Sequence, residues 1–284
     1  MKFSRPEASF YAPAQQDPLT GLSATTHLGI GAHADDLEIL AFPGISACYR
    51  HPSYRFSGVV VTDGAGAPRS GSFAKTSDSE MVAIRREEQQ RAADLGHYAS
   101  VIQLGYPSPE VRKTDRSKLI SDLVQILNAA QPRILYLHNP LDRHETHLAV
   151  LLACLEALRQ IPENSRPREI YGCEVWGDLD WVPASRILRL PCSAPEDFGP
   201  SLLRCFASQV DGGKRYDLAA QGRRRAQATF GDAYTPDQAD EVVLALDLKP
   251  LVQPGASLSS FVSSLTEEFR TQAISRTQKV EQGE

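Results

Sequence analysis

The chain has 284 residues, 42% hydrophobic and 23% charged, enough apolar material for one sizeable core in a soluble α/β domain. Its net charge of −5 and pI near 5.8 leave no basic face of the kind nucleic-acid partners require. Five widely spaced cysteines without a C-x-x-C exclude a disulfide framework and a thiolate metal site. A reducing, cytoplasmic home is expected. No apolar run approaches the roughly 20 residues of a membrane span, and no apolar stretch of signal-peptide type follows the first residues.

Residues 1–25, rich in Pro, Ala, Gln and Ser, read as an irregular N-terminal arm. Strands follow at 27–32, 56–62, 101–104, 133–138 and 169–175, each β-branched or apolar and uninterrupted. Helices are expected over about 37–50, over 80–95 with Ser79 as cap, over 116–130 ending before Pro132, and over 147–159. This alternation predicts βαβ units and a parallel sheet buried on both faces. Beyond residue 180 the pattern weakens. A strand is expected at 187–190 and helices at 198–209 and 214–228, while 241–246 fits either a strand or a helix. The fold class is therefore α/β and Rossmann-like: a mostly parallel sheet flanked by helices, with a less regular C-terminal extension. Residues 26–250 read as a single domain, and 251–284 as a polar C-terminal helix or tail whose last ten residues are expected to be disordered.

Ligands of open parallel sheets bind at the carboxyl ends of the strands. After the first of the five strands comes Gly29-Ile30-Gly31-Ala32-His33-Ala34-Asp35-Asp36. The glycines satisfy the loose dinucleotide fingerprint. A helix opening on two carboxylates would repel the phosphates that its N-terminus should attract, which disfavours a nicotinamide-dependent oxidoreductase. A cation site fits better, because His33 and Asp36 straddle the strand-to-helix turn and zinc accepts both donor types. Beyond the fourth strand lies His138-Asn139-Pro140-Leu141-Asp142-Arg143-His144-Glu145-Thr146-His147, which holds three of the seven histidines. His144 and His147 share a face if a helix begins there. Two histidines and a carboxylate leave a coordination position open for water, the catalytic pattern. His138 competes as a ligand.

His33-Ala34-Asp35-Asp36-Leu37-Glu38 resembles the H-P-D-D-x-E signature of the PIG-L/LmbE-like deacetylases, and Asp142-Arg143-His144-Glu145-Thr146-His147 resembles their D-x-H-x-D-H segment. Thr62-Asp63-Gly64-Ala65-Gly66 and Arg85-Arg86-Glu87-Glu88 resemble the intervening loop and helix, so the likeness spans about residues 27–175. The resemblance implies zinc-dependent hydrolysis of an N-acetyl group on an amino sugar or glycoconjugate, with another divalent metal as an alternative. It places zinc ligands at His33, Asp36 and His147, a general base at Asp35, and an oxyanion-stabilising or proton-donating imidazole at His144. The sequence departs from the signature at Ala34, at Thr146 in place of an acid, and at Leu40 and Phe42. Asp142 or Glu145 is the candidate to replace the missing charge. The competing reading is a metal-binding homologue whose catalysis has decayed and which binds a ligand or partner. Asp63, Arg85, Arg86 and Trp176 are the candidate substrate contacts, with Trp181 a second aromatic nearby. A homo-oligomer is compatible with the sequence.

Overall fold

The computed structural model describes residues 1–283. Eight strands form one sheet: β1 (Ser9–Tyr11), β2 (His27–Gly31), β3 (Phe56–Thr62), β4 (Ser100–Tyr106), β5 (Ile134–His138), β6 (Glu169–Cys173), β7 (Ile187–Pro191) and β8 (Val242–Asp247). Their order is β1-β4-β3-β2-β5-β6-β8-β7. The five central strands β4-β3-β2-β5-β6 run parallel, while β1, β8 and β7 pair antiparallel at the two edges. This is the mostly parallel α/β sheet expected. The chain runs outward from β2 through β3 to β4, then crosses back to β5 on the other side of β2. The β2/β5 boundary is thus the topological switch point, where the connecting segments diverge and leave a crevice.

The helices are α1 (Pro18–Ser23), α2 (Asp36–Leu40), α3 (Phe42–Cys48), α4 (Asp78–Gly96), α5 (Ser108–Val111), α6 (Ser117–Ala130), α7 (Glu145–Gln160), α8 (Phe198–Arg204), α9 (Ala207–Val210), α10 (Tyr216–Thr229) and α11 (Leu258–Glu281). Alternate residues of each strand face opposite layers. Leu28, Ile30, Val59, Val61, Leu135 and Leu137 pack under α6 and α7. Val60, Val101 and Tyr136 pack under α2, α3 and α8, with Leu37, Leu40, Phe42, Ile45 and Leu202. Each fully buried Leu or Ile of this kind contributes roughly 1.5–3 kcal/mol.

Several boundaries differ from expectation, each for a local reason. Residues 1–25 are not an irregular arm: they contain β1, which covers the edge of β4, and α1, capped by the Asp17 side chain on the Thr20 N–H at 2.8 Å. The expected helix over 37–50 is two, because Pro43 sits in the first turn of α3 and the chain bends at Ala41. The cap of α4 is Ser77 rather than Ser79; its hydroxyl and the Glu80 carboxylate form a reciprocal capping box. The expected helix over 198–209 is divided into α8 and α9. Residues 242–247 resolve as strand β8. The polar C-terminal stretch forms helix α11 through Glu281; Glu284 lies outside the described residues. No helix among the described residues is long and apolar enough to cross a membrane.

His27 gives the fold an acid-sensitive point. Burial in β2, with Arg133 and His51 adding to it, pushes its imidazole down to about 4. An unfolded imidazole titrates near 6.5, so the unfolded chain takes up this proton first. Stability is therefore lost as pH falls from about 6.5 toward 4, by up to about 3 kcal/mol from this group. His27→Asn should flatten that part of the profile in urea melts at pH 7 and pH 4.5. An unchanged difference between the two pH values would remove His27 from the acid response.

Candidate active site

The first half of the site is the turn after β2. Gly31 permits it: a Cβ there would lie 2.9 Å from Asp36 Cβ, so only glycine lets the Asp36 side chain fold back across the strand end. Gly29 does the same for the packing of Ala41 and Leu37, so both glycines serve helix–strand contact rather than a pyrophosphate. Asp36 Oδ2 accepts from the His33 N–H at 2.7 Å, which locks the two residues into one turn. Between them Asp35 has φ +90°, a left-handed conformation that turns its carboxylate away from that of Asp36.

The second half follows β5. His144 caps α7 and accepts the Thr146 N–H on Nδ1 at 3.2 Å. Its remaining nitrogen, Nε2, therefore carries the proton of the neutral ring. Burial, reinforced by His147 and His33, lowers its pKa and favours the neutral ring, which still donates from Nε2. His147, on the first turn of α7, donates from Nδ1 to Asp142 Oδ2 at 3.0 Å, leaving Nε2 as the free lone pair. Asp142 Oδ1 accepts the His144 N–H at 2.8 Å. One carboxylate thus orients the His147 ring and fixes the backbone at His144, and it is the candidate named for the acid missing at Thr146. Glu145 is exposed and plays no such part.

The two halves meet. His33 Nδ1 lies 3.1 Å from His147 Nε2, and Asp36 Oδ2 lies 3.3 Å from each of these nitrogens. A tetrahedral zinc with bonds of 2.0–2.1 Å spaces its donors about 3.3 Å apart. The three atoms therefore fit three corners of such a shell, and the donor types suit it. Although burial opposes ionisation of Asp36, His147 and its other imidazole neighbours hold its carboxyl well below the usual range. His138 is fully buried against His147, and its Nε2 accepts the Ala32 N–H at 2.9 Å. That lone pair is engaged with the backbone, while the same Nε2 lies 3.4 Å from Asp36 Oδ2. Two groups of donors lie close enough together to share an ion: His33, His144 and His147, and Asp36, His138 and His147.

Asp35 stands beside this triad. Burial pushes its carboxyl up to about 8, with the Arg85 guanidinium pulling the other way. Arg85 is buried, donates to the Ala34 carbonyl and lies 3.5 Å from Asp35 Oδ1. Gln209, with its amide oxygen turned inward, accepts from the same guanidinium. Gly64 makes room for it: a Cβ there would meet Arg85 Cδ at 2.8 Å, and its φ of +75° suits glycine alone. Arg85 thus braces Asp35.

These residues open into a cavity of about 630 Å³. Its floor is His33, Asp35, Asp36, His144 and Thr146; its walls come from the loops after β3, β4 and β6 and from α10. Of the expected substrate contacts, Arg85 and Trp176 line it. Arg86 does not; it donates to the Glu7 carbonyl at 2.6 Å. Nor does Asp63, whose Oδ1 accepts the Ala65 N–H at 3.0 Å in an Asx-turn. Trp181 packs edge-on against Phe269 of α11. Tyr216, Lys214 and Arg112 also line the cavity, as does Arg223, which opens the basic run Arg223-Arg224-Arg225 whose sequence reads as a solvated helix face. No local motif marks them.

Comparison with known proteins agrees with this geometry. Residues 28–158 match the family described as PIG-L: GlcNAc-PI de-N-acetylase. The chain is 26% identical over 140 residues to "Uncharacterized deacetylase YaiS" of Escherichia coli (strain K12), covering 48% of this chain and 69% of that protein. The fold resembles N,N'-diacetylchitobiose deacetylase from Pyrococcus horikoshii (TM-score 0.57, 19% identity, 77% of this chain and 82% of that one). It equally resembles GalB, the 4-carboxy-2-hydroxymuconate hydratase of Pseudomonas putida KT2440 (TM-score 0.60, 18% identity, 78% and 95%). At such identities the likeness shows the fold alone, and one fold here carries two reactions. The sequence match adds what the fold cannot: residues 28–158 are similar to the PIG-L family, and the curated relative is described as a deacetylase.

Proposed function

We propose that this protein is a zinc-dependent amidohydrolase that removes an N-acetyl group from an amino sugar or its conjugate. The observation that carries the reading is the triangle of His33, Asp36 and His147 donors at tetrahedral spacing, with His33, Asp36, Asp35 and His144 lining one cavity and His147 buried behind them. Zinc bound there would acidify a water and polarise the amide carbonyl. Its charge would also draw Asp35 toward the ionised form that a base needs. Asp35 takes the proton of the attacking water and returns it to the departing amine. His144 donates from Nε2 to the oxygen that becomes negative as the carbonyl is attacked. Arg85 keeps the Asp35 carboxylate aimed, Asp142 keeps His147 in the required tautomer, and the Thr146 N–H does so for His144. Trp176, 40% exposed and edge-on to Tyr216 at 6.3 Å, offers an aromatic wall to a sugar face. The unpaired cysteines suit a reducing compartment such as the cytoplasm.

The test is metal analysis combined with acetate release from a panel of N-acetylated sugars, with and without chelator. About one zinc per chain and chelator-sensitive, zinc-restored acetate release are expected. Full activity in the metal-stripped protein would overturn the reading. Zinc and sugar binding without release would point to the decayed, ligand-binding alternative.

A further inference from the structure

Helix α9 lies in the C-terminal third of the chain, beyond the matched residues 28–158, yet two of its side chains reach the back of Arg85. Ser208 is fully buried and Gln209 nearly so. On one edge of the Arg85 guanidinium, Nη2 donates to the Ala34 carbonyl and lies 3.5 Å from Asp35 Oδ1. On the other, Nη1 donates to Ser208 Oγ at 3.4 Å, and the inward-turned Gln209 amide oxygen accepts from both terminal nitrogens. The contact with Asp35 is too long to hold the fork by itself. Without the Gln209 oxygen, Nη1 would keep only the long bond to Ser208, and a buried guanidinium so deprived turns toward another acceptor. That acceptor is at hand in Glu88, one turn along α4 on the same face and fully buried. Ser208 occupies both of its oxygens: Oε1 accepts the Ser208 N–H at 2.7 Å and Oε2 the Ser208 hydroxyl at 2.6 Å. The carboxylate left to pair with Arg85 is Asp35. A Cβ at Gly212 would collide with the Ser208 carbonyl, so glycine there lets the chain turn back directly over Ser208.

We infer that Gln209 and Ser208 are positioning residues for the proton acceptor: Gln209 fixes the Arg85 guanidinium from behind, and Ser208 holds Glu88 off it, so that Arg85 is left to aim Asp35. The inference rests on the deacetylase reading and adds to it a part for the C-terminal third. The turn that carries the acceptor is local, but its aim is set by a serine 123 residues beyond Arg85 and by the glutamine after it. Gln209 also lines the cavity, so direct contact with substrate is the competing role; it would appear in KM, whereas a lapse in the aim of Asp35 appears in kcat.

The experiment is a set of double-variant cycles on the zinc-loaded full chain, read as acetate release from an N-acetylated sugar, with a thermal melt of each variant as control for folding. Gln209→Met keeps the volume and removes the acceptor; it should lower kcat about tenfold with KM changed by less than about twofold. In an Arg85→Met background the same substitution should cost less than about twofold further, because the group it serves is gone. Ser208→Ala should lower kcat by about three- to tenfold, and adding Glu88→Gln should recover most of that loss, because the competing charge is then absent. A role in folding alone would multiply the losses and allow no such recovery. NMR of the Arg85 guanidinium nitrogens needs neither turnover nor the Arg85 variant. A guanidinium gripped at both edges rotates slowly about Cζ–Nη and gives separate Nη signals, which Gln209→Met should average. If the parent chain releases no acetate, the deacetylase reading fails and the Nη signals alone judge the grip on Arg85. Losses that multiply in Arg85→Met, a loss confined to KM, no recovery with Glu88→Gln, or Nη signals that are averaged in the parent or unchanged in Gln209→Met would each overturn the inference.

Discussion

Asp35→Asn is expected to lower kcat for acetate release by about 10²- to 10⁴-fold while leaving zinc stoichiometry intact. Asn keeps the size of the side chain and tolerates the left-handed backbone at this position, where φ is +90°. It removes the one floor carboxylate outside the ligand triangle. Arg85 remains held by the Ala34 carbonyl and by Ser208 at 3.4 Å, so the turn has no reason to collapse. The checks are single-turnover kinetics and metal analysis on the same preparation, with a thermal melt as control for folding. Near-normal turnover would transfer the proton acceptor to another group.

His147→Ala should abolish stoichiometric zinc binding, because it removes one corner of the ligand triangle. It also strips Asp142 and Asp36 of a shared buried partner; burial alone would raise the Asp142 carboxyl, and His147 holds it down. Such a removal costs roughly 3–5 kcal/mol of stability where the remaining charge is buried. Asp142→Asn is the milder companion. It spares the ligand but unsettles its tautomer, and should weaken zinc by about 10- to 100-fold. Competition with a chromogenic chelator reads both. Unchanged stoichiometry in His147→Ala would move the ligand role to His138 or His144.

The parts of this molecule that were legible in the sequence are those encoded locally. The β-branched run at β3 and the apolar run at β5 announce themselves, and their residues are buried as such runs require. His33 and Asp36 are three residues apart, so the turn that joins them is a local event. The break at Ala41 and the Ser77 cap were also written locally, in Pro43 and in the Ser77–Glu80 spacing, but each competed with a nearby alternative. The three-residue β1 carries too little pattern to be read; its pairing with β4, ninety residues on, creates it. The upper wall of the cavity was illegible for the same reason. Arg112 follows α5, Lys214 precedes α10 and Arg223 lies within it, and only the packing of α10 on α8 and β8 brings them to one cavity. Asp142 lay between: its position in the motif made it a candidate, and the 3.0 Å contact with His147 chose it.

The conformation of Asp35 sets two demands on one residue against each other. A non-glycine side chain in the left-handed region, carrying a carboxyl taken out of water, is an uncomfortable choice for the fold. Glycine would relax the backbone and asparagine would relieve the buried acid. A library screened for heat resistance alone would therefore enrich both at position 35 and shed turnover as it did so. The aspartate persists only under selection for chemistry, and its identity in a variant reports which pressure that variant has been under.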